Sequence, residues 1–203
     1  MVTFKIIVCV LLGYIIGSIN FSVLLSQIGS QGDVRKYGSG NAGATNMARV
    51  YGLGAGFLTL FCDMLKTAVA LLLGHRLLGD WGLAGAGMAC ILGHCFPLFH
   101  HFQGGKGISV GAIIGLAINW RVLASILAIF LLVAFLSKKV SLGSITAAAS
   151  LTISALLLSV NTPKLILAFF TSCIAIFQHR GNVRRLIDGT EPDFKIKKSR
   201  IDS

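Results

Sequence analysis

Apolar runs of nearly membrane-spanning length recur along the chain, and they restrict its fold more than any other feature. The approximate spans are 4–28, 52–74, 82–99, 107–119, 121–137, 142–160 and 164–178. A helix needs about 20 residues to cross the hydrocarbon of a bilayer. Mean hydropathy is +0.82, and only 12% of the residues are charged. The sequence therefore predicts an all-α membrane protein, a seven-transmembrane-helix bundle that forms one domain over residues 1–203.

The basic residues indicate how this bundle is oriented. An odd number of crossings puts the two termini on opposite sides, so the C-terminal tail shares its side with alternate connections. Most lysines and arginines lie on that side. The other side holds Lys5, Arg76, Arg121 and Lys164. By the positive-inside rule, the N-terminus is predicted to lie outside, and a polar, basic tail from about residue 179 is predicted to be cytoplasmic.

Charge and cysteine content exclude several classes of protein. The net charge is +11, but no nucleic-acid motif or continuous basic stripe accompanies it. Anionic lipid headgroups and small anionic substrates are therefore the predicted partners, and nucleic acid is not.

The five cysteines lack a C-x-x-C spacing and mostly lie in apolar runs, which favours a packing role. The first run lacks a convincing cleavage site and is predicted to be a retained helix.

Three polar, glycine-rich segments interrupt the apolar runs, and the predicted topology puts all three on the cytoplasmic side. In the first, residues 35–49, glycines permit turns in which successive N–H groups point at one anion. Its polar side chains are Ser39, Asn41, Thr45, Asn46 and Arg49. We expect Thr45 or Asn46 to cap the next helix, whose N-terminus also favours an anion. An ordinary capped turn explains the glycines but not this density of polar groups.

The second segment, residues 93–107, ends in Gly104-Gly105-Lys106-Gly107. A lysine among glycines at the start of a helix is typical of phosphate binding. His94, His100 and His101 also suggest a metal site. However, their spacing matches no common zinc pattern, and no nearby carboxylate orients a ring, so no metal is predicted.

The third segment, residues 178–185, follows the last span directly. Contact with anionic lipid explains its arginines. His179 and Asn182 need another explanation, because a histidine three residues from an amide is suited to act as base or donor at a reacting centre.

Two pairs of charged residues lie elsewhere in the predicted bundle. Asp63 and Lys66 share one face of the second span and must pair inside the protein, either as a structural ion pair or as a support of the active site. His75 and Asp80 have the H-x4-D spacing of acyltransferases that use acyl thioesters. They fall in the predicted external connection, away from the phosphate-type groups, so no active site is predicted there.

Together, these segments resemble the bacterial membrane-integral acyltransferases that use acyl phosphate to acylate glycerol 3-phosphate. The resemblance covers nearly the whole chain and rests on four co-linear motifs, at residues 38–46, 63–66, 93–107 and 179–191. It implies a seven-helix bundle in the bacterial cytoplasmic (inner) membrane, with a site that faces the cytoplasm and uses no cofactor or metal. One departure is Ala42, where many members carry proline.

The resemblance also implies the reaction and its residues. The substrates would be acyl phosphate and glycerol 3-phosphate, the products lysophosphatidic acid and phosphate, and the enzyme a monomer among membrane lipid. The residues implied in catalysis are His179, Asn182 and Lys106. The residues implied in holding the phosphates and positioning the glycerol are Ser39, Asn41, Thr45, Asn46, Arg49, Lys66, Gly104, Gly105, Gly107 and Ser144.

The chemistry of such a reaction agrees with the residue types. Acyl phosphate is already activated, because phosphate is a good leaving group, so a protein nucleophile is unnecessary. Orientation and charge stabilisation remain, for which Arg49 and Lys106 would hold two anions together. The base for the glycerol hydroxyl is either His179 or the leaving phosphate. The acyl chain is expected to lie between helices.

Three other functions fit parts of the pattern less well. A transporter of phosphate esters would place its site near the midplane, between inverted repeats. A metal transporter would require more carboxylates within the membrane. A lipid-binding structural subunit would leave the polar density of the first segment unexplained. Replacing Lys106 with alanine is expected to abolish turnover in an enzyme and to have little effect on a structural subunit.

Overall fold

The computed structural model describes residues 1–29 and 32–193, and its regular structure is entirely helical. The helices are α1 (Val2–Gly17), α2 (Phe21–Ile28), α3 (Ala44–Tyr51), α4 (Leu53–Cys95), α5 (Ile108–Ile118), α6 (Trp120–Ser137), α7 (Val140–Leu157), α8 (Thr162–Gln178) and α9 (Arg180–Ile187). Short 3-10 turns at Val34–Lys36 and Leu98–His100 lie in the connections. The end of the predicted basic tail, from residue 194, lies outside the described residues.

The composition of these helices suits a lipid environment. The segments Val2–Ile28, Leu53–His100, Trp120–Ser137 and Val140–Leu157 are long and apolar enough to cross a membrane, and Ile108–Ile118 and Thr162–Gln178 are apolar but shorter. Large apolar side chains remain exposed on the outer faces, among them Phe57, Phe61, Leu131, Leu132 and Phe135. So many exposed apolar side chains are expected where helices face lipid. The all-α class predicted from the sequence is confirmed.

Helix α4 is a hairpin of two helical arms. Leu78 and Gly79 have non-helical backbone angles, and Gly79 has a positive φ of 57°. Gly74 and Gly82 lie so close across the reversal that a Cβ on either glycine would overlap the carbonyl of the other. The sequence predicted two helices, 52–74 and 82–99, joined by an external loop. The reversal is present, but helical structure continues up to Leu77 and resumes at Asp80, so the loop is much shorter than predicted.

The first predicted helix, 4–28, is interrupted. Ser18, Ile19 and Asn20 separate α1 from α2, and the Asn20 side chain caps α2 by accepting a hydrogen bond from the Val23 N–H at 3.2 Å. The interruption leaves the Ile19 carbonyl without a helical partner, and this carbonyl accepts a hydrogen bond from Lys66 Nζ at 2.5 Å. A polar site thereby forms inside the predicted span.

Small residues bring α1 against the second arm of α4. A Cβ at Gly13 would overlap the backbone of Ala86, and one at Gly17 would overlap that of Cys90. The Gly13-x3-Gly17 pair thus allows the two helices to approach closely. The rest of the bundle closes around a core of aliphatic residues from α4, α5, α7 and α8, such as Ile91, Ile114, Leu151 and Leu167.

Candidate active site

A cavity of about 460 Å³ opens at the end of the bundle where the three polar segments meet. Its polar lining comes mainly from those segments, from the start of α7 and from the chain that follows α9. Its apolar lining comes from positions on α4, α5, α6, α7 and α8. Most of the residues predicted for the site line this cavity. They are Ser39, Asn41, Thr45, Asn46, Arg49, Lys106, Gly107, Ser144, His179 and Asn182.

Asn46 fixes the shape of the first segment. Its Oδ1 accepts a hydrogen bond from the Ser39 N–H at 2.9 Å, and its Nδ2 donates to the carbonyls of Val34 at 3.1 Å and Tyr37 at 3.0 Å. A Cβ at Gly38, where φ is +62°, would overlap the Asn46 amide. The predicted capping role of Thr45 or Asn46 is wrong, because the N-cap of α3 is Gly43 and no side chain caps it. Asn46 instead holds the loop against the helix.

The N-terminus of α3 points its first turn at the cavity. Gly43, Ala44 and Thr45 line the cavity there, and Arg49 lines it one turn later on the same helix. The first N–H groups of a helix lack partners within it and carry a partial positive charge. Together with a guanidinium, they form a site that suits an anion.

Lys106 belongs to a chain of polar contacts at the mouth of the cavity. Its Nζ donates to Asn182 Oδ1 at 2.5 Å, and Asn182 Nδ2 donates to Glu191 Oε1 at 2.7 Å. Glu191 Oε2 accepts from Arg185 Nε, also at 2.7 Å. These bonds determine which end of the Asn182 amide faces Lys106. A lysine, an amide and an arginine are thereby held side by side.

Burial changes the protonation of the two principal site residues. Burial, reinforced by the nearby charge of Arg185, lowers the pKa of Lys106 to about 8. Burial likewise lowers the pKa of His179 to about 4, and the charge of Lys106 adds to this effect. At neutral pH the lysine is therefore mostly charged and the imidazole is neutral.

One hydrogen bond sets the tautomer of His179. Its Nδ1 lies 2.7 Å from the Ala175 carbonyl oxygen, which can only accept. In the neutral ring the proton must then be on Nδ1, and Nε2 carries a lone pair. His179 is 3% exposed and lines the cavity. The ring is therefore prepared to accept a hydrogen bond or a proton at Nε2.

Three of the predicted site residues do not line the cavity. Lys66 is 5% exposed, and its Nζ lies 2.8 Å from Asp63 Oδ1 and 3.2 Å from His94 Nδ1. The ammonium is thus used inside the protein. Gly104 and Gly105 pack on His94, since a Cβ at Gly104 would overlap the His94 carbonyl and one at Gly105 its imidazole. The structure gives all three a role in supporting the Lys106 segment.

Two charged residues of the cavity received no role from the sequence. Glu191 and Arg185 both line it, and Glu191 is 7% exposed. Burial raises the pKa of Glu191, but the neighbouring Ser141 hydroxyl, the Asn182 amide and the Arg185 guanidinium outweigh this and hold the pKa below its ordinary value. The only signal in the sequence was their position in the motif at residues 179–191, and that motif does not show that the chain folds back after α9.

The remaining candidate motifs lie away from the cavity. Asp80 accepts a hydrogen bond from Asn161 Nδ2 at 2.5 Å and pairs with Lys164 Nζ at 3.6 Å, at the start of α8. Its H-x4-D partner His75 lies 3.5 Å from the same carboxylate. Neither residue lines the cavity. Within residues 1–29 and 32–193, no three His, Cys, Asp or Glu side chains are grouped to hold a metal ion.

Over most of its length, the chain is similar to known proteins of a single family. The family described as "Glycerol-3-phosphate acyltransferase" matches residues 7–189 of the chain. A protein of that name from Thermoanaerobacter pseudethanolicus is 41% identical over 183 residues, which cover 89% of this chain and 91% of the relative. Another, from Mesorhizobium japonicum, is 41% identical over 193 residues, with 93% and 96% covered.

Solved structures are similar over the same extent. A crystal structure of PlsY (YgiH), described as an integral membrane glycerol 3-phosphate acyltransferase in its glycerol 3-phosphate form, matches with a TM-score of 0.89 at 32% identity. The match covers 94% of this chain and 96% of that one. A lysophosphatidic acid form of PlsY matches with a TM-score of 0.86.

Proposed function

Because the chain belongs to the glycerol-3-phosphate acyltransferase family, we propose that it transfers an acyl chain to the C1 hydroxyl of glycerol 3-phosphate, with acyl phosphate as the donor. The products are lysophosphatidic acid and inorganic phosphate. The observation that carries the proposal is the composition of the cavity, which combines a cationic, amide-rich mouth with an apolar interior. Both substrates have an anionic phosphate, and the donor also has an apolar chain.

The cationic groups at the mouth suit two phosphates at once. Arg49, Lys106 and Arg185 all line it, and the N-terminus of α3 adds N–H groups. Two anions repel each other, so bringing them together requires several positive groups in a partly buried place. Fixing both substrates in a reactive orientation replaces a bimolecular encounter with a unimolecular step.

The reaction then needs little from the protein beyond placement. The C1 hydroxyl oxygen attacks the acyl carbonyl carbon and forms the ester bond. The bond from that carbon to the phosphate oxygen breaks, and phosphate leaves with the electron pair. Asn182 and Lys106 stabilise the negative charge that develops. The hydroxyl proton passes to His179 Nε2 or to the leaving phosphate. The low pKa of His179 makes it a weak base, which favours the phosphate.

We propose the following arrangement in the membrane. The α4 hairpin supplies two crossings, and α1–α2, α5, α6, α7 and α8 supply one each, so seven helices cross the bacterial cytoplasmic membrane. The cavity faces the cytoplasm and the N-terminal end of α1 faces outward, as the distribution of basic residues favours. We also propose that the enzyme is active as a monomer.

The test is an assay of the purified protein in detergent or lipid with palmitoyl phosphate and glycerol 3-phosphate. We expect phosphate release that depends on glycerol 3-phosphate, with lysophosphatidic acid identified by mass. The Lys106→Ala variant should fold and lose at least about 100-fold in kcat/KM, as is typical when a charge-stabilising donor is removed. If the protein forms lysophosphatidic acid from an acyl thioester but not from acyl phosphate, the assigned donor is refuted. Transport of glycerol 3-phosphate without product would refute the enzyme.

A further inference from the structure

His94, at the end of the second arm of α4, is a buried histidine that the proposed reaction does not use. It is 4% exposed and lines the cavity. Its two ring nitrogens face different surroundings. Nδ1 lies 3.2 Å from the Lys66 ammonium nitrogen, whereas Nε2 lies on the side of Gly105, in the segment that carries Lys106. The two nitrogens can therefore serve separate purposes.

The Lys66 ammonium determines the tautomer of His94. Three acceptors surround it, namely the Ile19 carbonyl at 2.5 Å, Asp63 Oδ1 at 2.8 Å and His94 Nδ1 at 3.2 Å. A lysine ammonium has three N–H donors and no acceptor. Asp63 Oδ1 lies 3.7 Å from Nδ1, which is too far for a hydrogen bond, so Nδ1 accepts one from Lys66. In the neutral ring the proton is then on Nε2.

The Nε2–H group makes no hydrogen bond to any part of the chain that the structure describes. Only a glycine at position 105 leaves it uncovered, because a Cβ at Gly105 would overlap Nε2 and would lie 3.0 Å from the Ala42 carbonyl oxygen. The chain neighbours of these two residues line the cavity, namely Asn41, Gly43 and Lys106. The donor therefore lies where the first and second polar segments meet, near the N-terminus of α3.

The backbone around this donor is held in place. The Gly105 N–H donates to the His94 carbonyl at 3.0 Å, and the Gly104 N–H donates to the Cys95 carbonyl at 3.2 Å. The Gln178 side chain, at the end of α8, donates to the Gly105 carbonyl at 3.2 Å. Groups that are fixed before a ligand arrives lose little conformational entropy when it binds. The ring is thus preorganised for binding.

We infer that His94 is a further substrate-binding residue, whose Nε2–H donates a hydrogen bond to an oxygen of a bound phosphate group. The inference rests on the proposed function, because it requires a phosphate compound in this cavity. A neutral imidazole adds a donor without adding charge, so it does not repel Lys106. Lys66 is the positioning residue that keeps the proton on Nε2. Both substrates carry a phosphate group, and separate binding measurements distinguish them.

Two substitutions separate the donor from the packing of the ring. His94→Asn keeps an oxygen near the position of Nδ1 for Lys66 but has no donor at the position of Nε2. His94→Gln extends further and can place an amide N–H there. The matched control is His101→Asn, because His101 is exposed, does not line the cavity and has a left-handed backbone that asparagine tolerates.

The experiment uses the full-length protein in detergent, with calorimetry for glycerol 3-phosphate and the KM in the transfer assay for palmitoyl phosphate. We expect His94→Asn to weaken binding of one substrate by about tenfold, as is typical for the loss of one hydrogen bond to a charged group. The substrate affected is the one whose phosphate His94 contacts. His94→Gln should stay within about threefold of the unmodified protein, and His101→Asn should have no effect. Equal losses in both His94 variants would show a packing role and refute the inference.

A second measurement does not require either His94 variant to fold. In protein with isotope-labelled histidine, the His94 signals are those that remain unassigned after single glutamine substitutions at the other four histidines, His75, His100, His101 and His179. We expect the Nε2–H tautomer in the free protein and a shift of the Nε2 resonance when the bound substrate is added. A proton on Nδ1, or a resonance that neither substrate shifts, would overturn the inference.

The outcomes separate this inference from the proposed function. If the unmodified protein forms lysophosphatidic acid and His94→Asn binds both substrates as the control does, the inference alone is refuted. If the unmodified protein binds neither substrate, the proposed function fails and the inference fails with it.

Discussion

The Lys106 side chain loses its positive charge at a lower pH than an ordinary lysine does, because its pKa is lowered. Burial lowers its pKa to about 8, whereas a phosphate monoester loses its second proton near pH 6 and stays a dianion above pH 7. Raising the pH from 7 to 9 therefore removes the lysine charge without changing the ligand. We expect glycerol 3-phosphate to bind roughly tenfold more weakly at pH 9 than at pH 7, measured by calorimetry on the detergent-solubilised protein.

The control for this prediction is Lys106→Arg, because arginine stays protonated throughout the range. Its affinity should be nearly constant between pH 7 and pH 9, whatever its absolute value. A variant that lost affinity as steeply as the unmodified protein would show that another group titrates.

His179 should behave as a neutral imidazole in the resting enzyme. Its pKa is lowered to about 4 by burial, and Nδ1 is engaged with the Ala175 carbonyl. We expect its ring signals, assigned with the His179→Gln variant in histidine-labelled protein, to stay constant between pH 5 and pH 8. A titration midpoint near 6.5 would contradict the burial of this ring and restore it as a strong candidate for the base.

At the scale of elements, the segment that follows α9 acts as a strap over the mouth of the cavity. Glu191 and Pro192 line the cavity from this segment, and Lys139, in the connection between α6 and α7, binds it. Lys139 Nζ donates to the Glu191 carbonyl at 2.5 Å and pairs with Asp193 at 3.2 Å. Lys139 therefore ties the strap to the α6–α7 connection, in addition to the hydrogen bonds that Glu191 accepts from Asn182 and Arg185.

Loosening this contact should affect binding more than folding. We expect Lys139→Met to raise the KM for glycerol 3-phosphate by about threefold to tenfold, with little change in melting temperature, since the pair is partly exposed and contributes at most about 1 kcal/mol. The neighbouring Lys138 is exposed, so Lys138→Met is the matched control. Equal effects from both variants would indicate a general charge effect and contradict the role of the strap.

Individual helices and connections show which parts of the fold and of the site can be predicted from the sequence and which cannot. The apolar runs predict the long helices, because burial in lipid requires satisfied backbone hydrogen bonds. The polar segments predict most of the polar lining of the cavity. The break at Ile19 is not predicted, because it depends on a partner 47 residues away, the ammonium of Lys66. The position of Glu191 is not predicted either, since nothing local indicates that the chain turns back onto Asn182.

At the scale of the whole molecule, one buried polar cluster joins distant parts of the chain. Lys66 binds Asp63 on its own helix arm, the Ile19 carbonyl between α1 and α2, and His94 at the end of the second arm. Removing one partner of a buried ion pair leaves the other charge uncompensated and costs about 3–5 kcal/mol. We expect Lys66→Met to lower the thermal stability sharply, measured by unfolding in detergent.

Lys5→Met is the control for this prediction, because Lys5 is exposed on α1. It should leave the melting temperature unchanged. If Lys66→Met melts like the control but has lost glycerol 3-phosphate binding, the lysine contacts the substrate, as the sequence implied, and the supporting role is wrong.

The orientation of the whole bundle is the last property open to a direct test. The cavity gathers the polar segments at one end of the molecule, and the contacts of Asp80 with Asn161 and Lys164 lie outside its lining. Single cysteines introduced at the exposed residues Lys36, His101 and Ser159 sample different connections. With Cys173, the exposed native cysteine, changed to serine, we expect an impermeant thiol reagent to label Ser159→Cys in intact cells. Lys36→Cys and His101→Cys should react only after lysis. If Lys36→Cys and His101→Cys were labelled in intact cells and Ser159→Cys only after lysis, the bundle would have the opposite orientation. If only one of Lys36→Cys and His101→Cys were labelled in intact cells, α4 could not cross the membrane twice.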